Sequence, residues 1–157
     1  MTTAIPTRIE LDALPGHHIR RLHQIAVAIF LQETQFHGLT PVQYAAMQAV
    51  GNCPGVDPRT LAGAIGFDTS TISGVIDRLE ARGLVQRNAS PSDRRVRLLL
   101  LTDAGAALLD SVIPAMQRAQ QRMLEPLPER ERAEFVRMMH PLVTANNELS
   151  RAPSDAN

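Results

Sequence analysis

One candidate helix carries hydroxyl and guanidinium groups on the side that faces away from its apolar stripe. Across residues 68–83, apolar side chains fall at i, i+3, i+4 and i+7 from Ile72, which predicts one buried face. Opposite the stripe lie Ser70, Gly74, Asp77 and Ala81, and Thr71, Ser73 and Arg78 flank them. We expect Ser70, Thr71, Ser73, Gly74 and Arg78 of this small, hydroxylated face to contact DNA. Small side chains let a helix enter the major groove of DNA, where Ser, Thr and Arg bond base edges or phosphates. The alternative is an ordinary amphipathic helix with a solvated face.

A second charged group lies at the tip of a predicted β-hairpin. Residues 84–87 and 95–101 are candidate strands, and the turn-forming residues at 88–93 separate them. Asp93, Arg94 and Arg95 occupy the tip. The narrow minor groove of DNA attracts Arg, and a charge-assisted hydrogen bond from Asp93 could hold one Arg in an extended pose. The alternative is a solvated hairpin whose Arg residues serve solubility.

The spacing of these segments resembles the MarR family of winged-helix regulators. The matching pieces are Leu79-Glu80, Gly83-Leu84-Val85, Asp93 with Arg95, and Leu101-Thr102 with Gly105. The resemblance covers roughly residues 15–150. It implies that Arg95 is the wing Arg and that Arg94 is an extra one, so which of the two enters the groove stays open. It also implies a homodimer that binds a pseudo-palindromic operator in double-stranded DNA, usually as a repressor.

The helices around this region predict a mostly α fold with a small β-hairpin wing, in the α+β class. Thr40-Pro41 and Asp57-Pro58 are helix starts, and the helices they open span residues 41–50 and 58–65. We expect a single domain over residues 1–157, with a winged helix-turn-helix core at 38–102. We expect residues 13–37 and 103–150 to form the helical dimerisation region. The apolar stripes at 103–150 need a second copy to cover them, and the resemblance implies a place in the dimer interface for the first helix.

A further candidate site lies near the start of the first predicted helix, at residues 17–37. Its members are His17, His18, Arg20 and His23, with the phenol of Tyr44. An Arg binds a carboxylate bidentately, and a His can bond a ring substituent. The resemblance implies a small anionic aromatic effector between the dimer helices and the winged core, as in aromatic-acid or nicotinate catabolism. The alternatives are ion pairs or interface hydrogen bonds.

The residues give less support to two other sensing roles, metal sensing and peroxide sensing. His18 and His23 are five residues apart, off the i, i+4 spacing of helical metal ligands, so we expect no metal site. A metal-sensing or constitutive repressor nevertheless remains an alternative. Cys53 lies in a predicted loop, whereas the resemblance places a peroxide-sensing Cys in the first helix, so we interpret Cys53 as structural or incidental.

Composition bounds the remaining classes. The 157 residues carry no net charge, and all 16 cationic side chains are Arg. Residues 57–97 hold seven Arg and five acids, a mild local excess of +2. With no signal peptide, no run of transmembrane length and one cysteine, we expect a cytoplasmic protein without membrane contact. No nucleophile–base pair, phosphate loop or carboxylate pair stands out, so we expect neither an enzyme nor a cofactor. A winged-helix interaction module that never binds DNA is the last alternative.

Overall fold

The computed structural model describes residues 8–151 and consists of helices with one antiparallel hairpin. A 3-10 turn at Leu11–Ala13 comes first. The elements that follow are α1 (Pro15–Thr34), α2 (Pro41–Asn52), α3 (Pro58–Ile65), α4 (Thr69–Ala81), β1 (Val85–Ala89), β2 (Arg97–Leu101), α5 (Asp103–Leu124), α6 (Glu129–Ala145) and α7 (Asn147–Ser150). This order confirms the predicted mostly α fold with a β-hairpin wing. What was expected of residues 1–7 and 152–157 lies outside the described residues.

Side-chain caps fix the starts of the helices that form the winged core. Thr40 and Gln43 make a reciprocal capping box at α2, and Asp57 accepts a hydrogen bond from the backbone of Thr60 at α3. Asp68 caps α4 in the same way. Each cap satisfies an amide that would otherwise lack a partner, which stabilises a helix by about 1 kcal/mol. Helix α3 begins at Pro58 and ends at Ile65, as predicted.

Several predicted boundaries are wrong by two or three residues. The first helix ends at Thr34 instead of residue 37, because residues 35–37 form a turn that leads into Gly38 at φ +63°. The second helix continues past residue 50 to Asn52. The second strand begins at Arg97, because the backbone amide of Arg95 donates to the Asp93 carboxylate instead of joining the ladder.

The core lies where the predicted stripe of α4 meets α2, α3 and the root of the hairpin. All four members of that stripe are buried: Ile72, Val75, Ile76 and Leu79. Met47 and Leu61 lie beside them with no exposed surface. Burying one such side chain contributes about 1.5–3 kcal/mol. Leu99 of β2 is also fully buried, and it forms a β-bridge with Val56 that ties the segment after α2 to the hairpin.

Gly105 lets the first turn of α5 press against the base of the hairpin. A Cβ at this position would lie 2.0 Å from the carbonyl oxygen of Leu84. Thr102 caps α5 by accepting from the Gly105 amide, and its hydroxyl donates to the carbonyl of Gly83 over 2.6 Å. The Leu-Thr-x-x-Gly segment is therefore a packing device that joins the hairpin to the long helix.

The outer helices are only partly covered within one chain. Glu33 of α1 accepts hydrogen bonds from Arg118 and Arg122 of α5, and the Arg122 bond is the main reason that the pKa of Glu33 is lowered. In contrast, α6 has no buried residue, and its Leu142 and Val143 are more than half exposed. No helix between residues 8 and 151 is long and apolar enough to cross a membrane.

Candidate nucleic-acid interface and ligand cleft

The predicted polar face of α4 lies together on the outside of the winged core. Ser70, Thr71 and Arg78 are exposed, while Ser73 and Gly74 are half-buried. The guanidinium of Arg78 passes 3.8 Å from where a Cβ of Gly74 would stand. The Arg78 guanidinium therefore lies over a residue without a side chain.

The hydroxyl of Thr71 is used in the helix cap. Its Oγ1 donates to the Asp68 carboxylate over 2.6 Å, and its backbone amide donates to the same carboxylate over 2.8 Å. These bonds hold the pKa of the Asp68 carboxyl below its usual value. Thr71 can still accept a hydrogen bond, so its role toward a ligand would be that of an acceptor.

The hairpin tip presents two guanidinium groups from a backbone that Asp93 fixes. The Asp93 carboxylate accepts from the backbone amide of Arg95 over 2.9 Å, and the Asp93 carbonyl accepts from Val96. Arg94 and Arg95 are both exposed, and neither side chain donates a hydrogen bond within residues 8–151. The expected carboxylate–guanidinium contact at the tip is therefore replaced by a carboxylate–amide contact, which orients the turn itself.

An ion-pair cluster that was not predicted from the sequence joins α4 to β1. The Arg87 guanidinium of β1 donates to both Asp77 and Glu80 of α4. Burial is the largest single influence on the pKa of Arg87 and lowers it, but the two carboxylates together outweigh burial and raise it. We call these three residues the Arg87 brace. Their sequence signal was the pair of acids three residues apart on α4, followed by an Arg on the adjoining strand.

A cleft of about 650 Å³ opens between α2 and α5. It is lined by Tyr44, Gln48, Ile113, Met116, Gln117 and Gln120. The Tyr44 hydroxyl donates to the Gln48 side chain over 3.3 Å, and partial burial raises the pKa of the phenol. Only Tyr44 among these was predicted. The missed glutamines had a signal, because Gln48 is four residues from Tyr44 and Gln117 borders the apolar stripe of α5.

The other predicted ligand residues do not reach this cleft within one chain. His17, His18, Arg20 and His23 lie in the first half of α1. Tyr44 packs against Phe30 of α1, with ring centroids 6.0 Å apart. At about 1.5 Å per helical residue, His17 is roughly 20 Å from Phe30 along α1.

The His and Arg side chains near the start of α1 contact one another and their own segment. His18 hydrogen-bonds the carbonyl of Asp12 over 2.8 Å, and Arg20 donates to Gln24 over 3.3 Å. Desolvation, followed by the charges of Arg20 and Arg21, lowers the pKa of His17. Among residues 8–151, no three His, Cys, Asp or Glu side chains gather as a metal site would require. Cys53 is exposed.

Comparison with known proteins shows what kind of scaffold presents these groups. The model of the MarR family matches residues 37–96. The transcriptional repressor NicR of Pseudomonas putida is 31% identical over 148 residues, which cover 90% of this chain and 94% of NicR. The chain belongs to the MarR family. It is therefore a transcriptional regulator, and α4 and the hairpin correspond to the recognition helix and the wing of the winged-helix fold.

Solved structures of other MarR-type regulators share the fold over nearly their whole length. Bordetella bronchiseptica BpsR, whose DNA binding is regulated by 6-hydroxynicotinic acid, superposes with a TM-score of 0.81 at 29% identity, covering 96% of this chain and 99% of BpsR. The repressor CouR of Rhodococcus jostii, solved on a 23-mer DNA duplex, also gives 0.81 at 28% identity, covering 87% and 99%. The winged helix-turn-helix predicted from the sequence is thereby confirmed.

Proposed function

We propose that this MarR-type regulator is a homodimeric repressor that leaves its operator when a small aromatic carboxylate binds. The observation that carries the proposal is the pairing of an exposed recognition face with the Tyr44 cleft, which lies between α2 of the winged core and the long helix α5. A ligand in that cleft contacts both the DNA-reading unit and a helix that leads away from it. It can therefore favour one arrangement of the two over another.

The DNA-binding half of the proposal assigns a groove to each exposed cation. Ser70, Thr71, Ser73, Gly74 and Arg78 are proposed to lie in the major groove. Arg95, with Arg94 beside it, is proposed to enter the minor groove from the wing tip that Asp93 shapes. Two copies with their recognition helices about one turn of DNA apart would read a pseudo-palindrome. The relatives that are repressors or are solved on DNA support this assignment.

The effector half follows from the chemistry of the cleft walls. Ile113 and Met116 are apolar, so they suit the faces of an aromatic ring, while three glutamines and a phenol offer donors and acceptors for ring substituents. None of these six side chains carries a charge at neutral pH. A carboxylate therefore needs a cation from elsewhere, and we propose that Arg20 of a second copy supplies it, with His17, His18 and His23 beside it as hydrogen-bond partners. BpsR, which responds to 6-hydroxynicotinic acid, supports this ligand class.

Thermal-shift and DNA-release measurements test the effector half together. We expect hydroxybenzoates, cinnamates or hydroxynicotinates to raise the melting temperature, since a ligand at a hundred times its Kd adds about 2.7 kcal/mol of apparent stability. The same compound should release the protein from duplex DNA of its own promoter. The uncharged amide of the hit compound is the matched control and should bind far more weakly.

A variant of the cleft keeps the test specific. Tyr44→Phe removes the hydroxyl but keeps the ring that packs on Phe30. DNA binding should therefore persist, while a higher ligand concentration should be needed to release the protein from DNA. Tight DNA binding without a response to any aromatic acid would overturn the effector half alone. If the folded protein does not bind its promoter, the proposal that it is a repressor is overturned.

A further inference from the structure

The end of the described chain returns to the helix-turn-helix. After α6, which has no buried residue, the short helix α7 reaches the turn that connects α3 to α4. The Asn147 side chain donates a hydrogen bond to the carbonyl oxygen of Gly63 over 3.2 Å, across 84 residues of sequence. Asn147 is half-buried, unlike its exposed neighbours on either side. The contact is therefore a specific one between α7 and the last turn of α3.

Two glycines make room for this approach, Gly63 in the last turn of α3 and Gly66 just after the helix. A Cβ on Gly66 would lie 2.8 Å from the Ser150 hydroxyl oxygen, and one on Gly63 would lie 3.6 Å from the Arg151 guanidinium. Gly66 also has a φ of +73°, which suits glycine on its own account. We call Asn147, Ser150 and Arg151 the C-terminal latch, because they fit against these two glycines.

The latch also borders the beginning of the recognition helix. Glu148 and Arg151 line a second cleft, of about 280 Å³, together with Asp68 and Thr69. Asp68 is the N-cap of α4, and Thr69 is its first residue. The segment at residues 147–151 thus contacts the end of α3 and shares a cleft with the first turn of the recognition helix.

We infer that the C-terminal latch positions the recognition helix relative to α6. Asn147, Ser150 and Arg151 are positioning residues for operator recognition, and they act through the end of α3 at Gly63 and Gly66 without touching DNA. The inference rests on the proposed function, since it requires a dimer that reads two half-sites. In such a dimer, a movement of α6 shifts the start of α4, and the separation of the two recognition helices changes with it.

The contacts favour a positioning role over a stabilising one. One hydrogen bond and the fit of partly exposed side chains against two glycines add little to the large core around Met47 and Ile72. Even so, they are cross-element contacts that join α7 to the α3–α4 turn. Removing them should leave the fold intact and loosen the placement of α4.

Asn147→Ala tests the inference, and Asn146→Ala is its matched control. The Asn146 amide donates to the carbonyl of Leu142 in its own helix, so its loss removes an amide of the same kind without touching the turn. The probe is a set of duplexes built from a pseudo-palindrome selected from random DNA with the wild-type protein, with half-sites moved apart or together by one or two base pairs. We expect Asn147→Ala to lose about fivefold in affinity at the wild-type spacing and to discriminate less among spacings. Its melting temperature should match that of the control.

Hydrogen exchange of the free protein separates the latch from the proposed function. Asn147→Ala should speed amide exchange across residues 62–72, whereas Asn146→Ala should not. If both variants keep the wild-type spacing preference and exchange rates, the inference is overturned. If the wild-type protein selects no DNA, the proposed function fails, and the exchange comparison alone still decides whether the latch holds the turn.

Discussion

The Arg87 guanidinium of β1 lies 2.5 Å from the Asp77 carboxylate of α4. Its other amino group pairs with Glu80, one helical turn further along. The wing is thereby tied to the helix that it accompanies. In the proposed DNA complex, this pairing would neutralise two acids on the exposed side of the recognition helix that would otherwise repel the operator phosphates.

Removing the cation of the Arg87 brace should weaken operator binding more than it weakens the fold. Partly exposed ion pairs contribute about 0–1 kcal/mol, so Arg87→Ala should hardly change the free energy of unfolding. It leaves Asp77 and Glu80 unpaired beside DNA, and we expect about a tenfold loss of affinity near 0.1 M salt. Fluorescence anisotropy on labelled operator measures this loss. The triple variant with Asp77→Asn and Glu80→Gln should recover most of it, and a lack of recovery would show that Arg87 contacts DNA directly.

The two wing cations should differ in their effect on binding. Because the Asp93 carboxylate fixes the backbone at Arg95, we expect Arg95→Ala to cost about 1–3 kcal/mol of binding free energy. Arg94→Ala is the neighbouring control and should mainly reduce the salt dependence of binding, by about one ion. Titrations of both variants at several salt concentrations separate the two behaviours. Equal losses would mean that the tip acts only through its total charge.

Gly105→Ala should be among the most destabilising single changes in the hairpin region. The added Cβ would stand 2.0 Å from the Leu84 carbonyl oxygen, so the backbone of α5 or of the hairpin must move. Overpacking of this kind costs about 1–3 kcal/mol. Gly16→Ala is the matched control, because nothing lies within 4 Å of its added Cβ in α1. In urea denaturation, Gly105→Ala should unfold at a lower urea concentration than the wild type. Gly16→Ala should unfold at the same concentration as the wild type or at a higher one.

The cap of the recognition helix should make stability depend on pH. Bonds from Thr71 lower the pKa of Asp68 in the folded chain, so this carboxyl binds its proton more weakly when folded. Its contribution to stability is therefore complete above the unfolded pKa, about 3.9, and is lost as the pH falls through the lower folded value. Asp68→Asn keeps a capping oxygen but does not titrate. The difference in melting temperature between wild type and variant should shrink between pH 5 and pH 3, and a constant difference would exclude this linkage.

The sequence was informative wherever a local rule decides the structure. Thr40 before Pro41 and Asp57 before Pro58 mark helix starts because a cap and a fixed φ act within four residues. The buried stripe of α4 follows from helical periodicity alone. The wing could also be predicted from the sequence, because Gly83, at φ +70°, follows the end of the helix and two apolar segments come after it.

Features that join distant segments could not be predicted in the same way. The Val56–Leu99 bridge links residues 43 positions apart, and the Asn147–Gly63 hydrogen bond spans 84. Neither has a periodic pattern, because each depends on where whole elements come to rest. The cleft glutamines belong to the same class, since Gln48 and Gln117 become neighbours only when α2 packs on α5.

The exposed apolar residues of α6 bear on how the stability of this protein depends on its concentration. Val136, Leu142 and Val143 are each at least half exposed in a single chain. In the proposed homodimer a second copy would cover them, so folding would be coupled to assembly and dilution would lower the stability of each chain. The melting temperature should then climb with protein concentration, and an operator that holds two copies together would protect the fold of each.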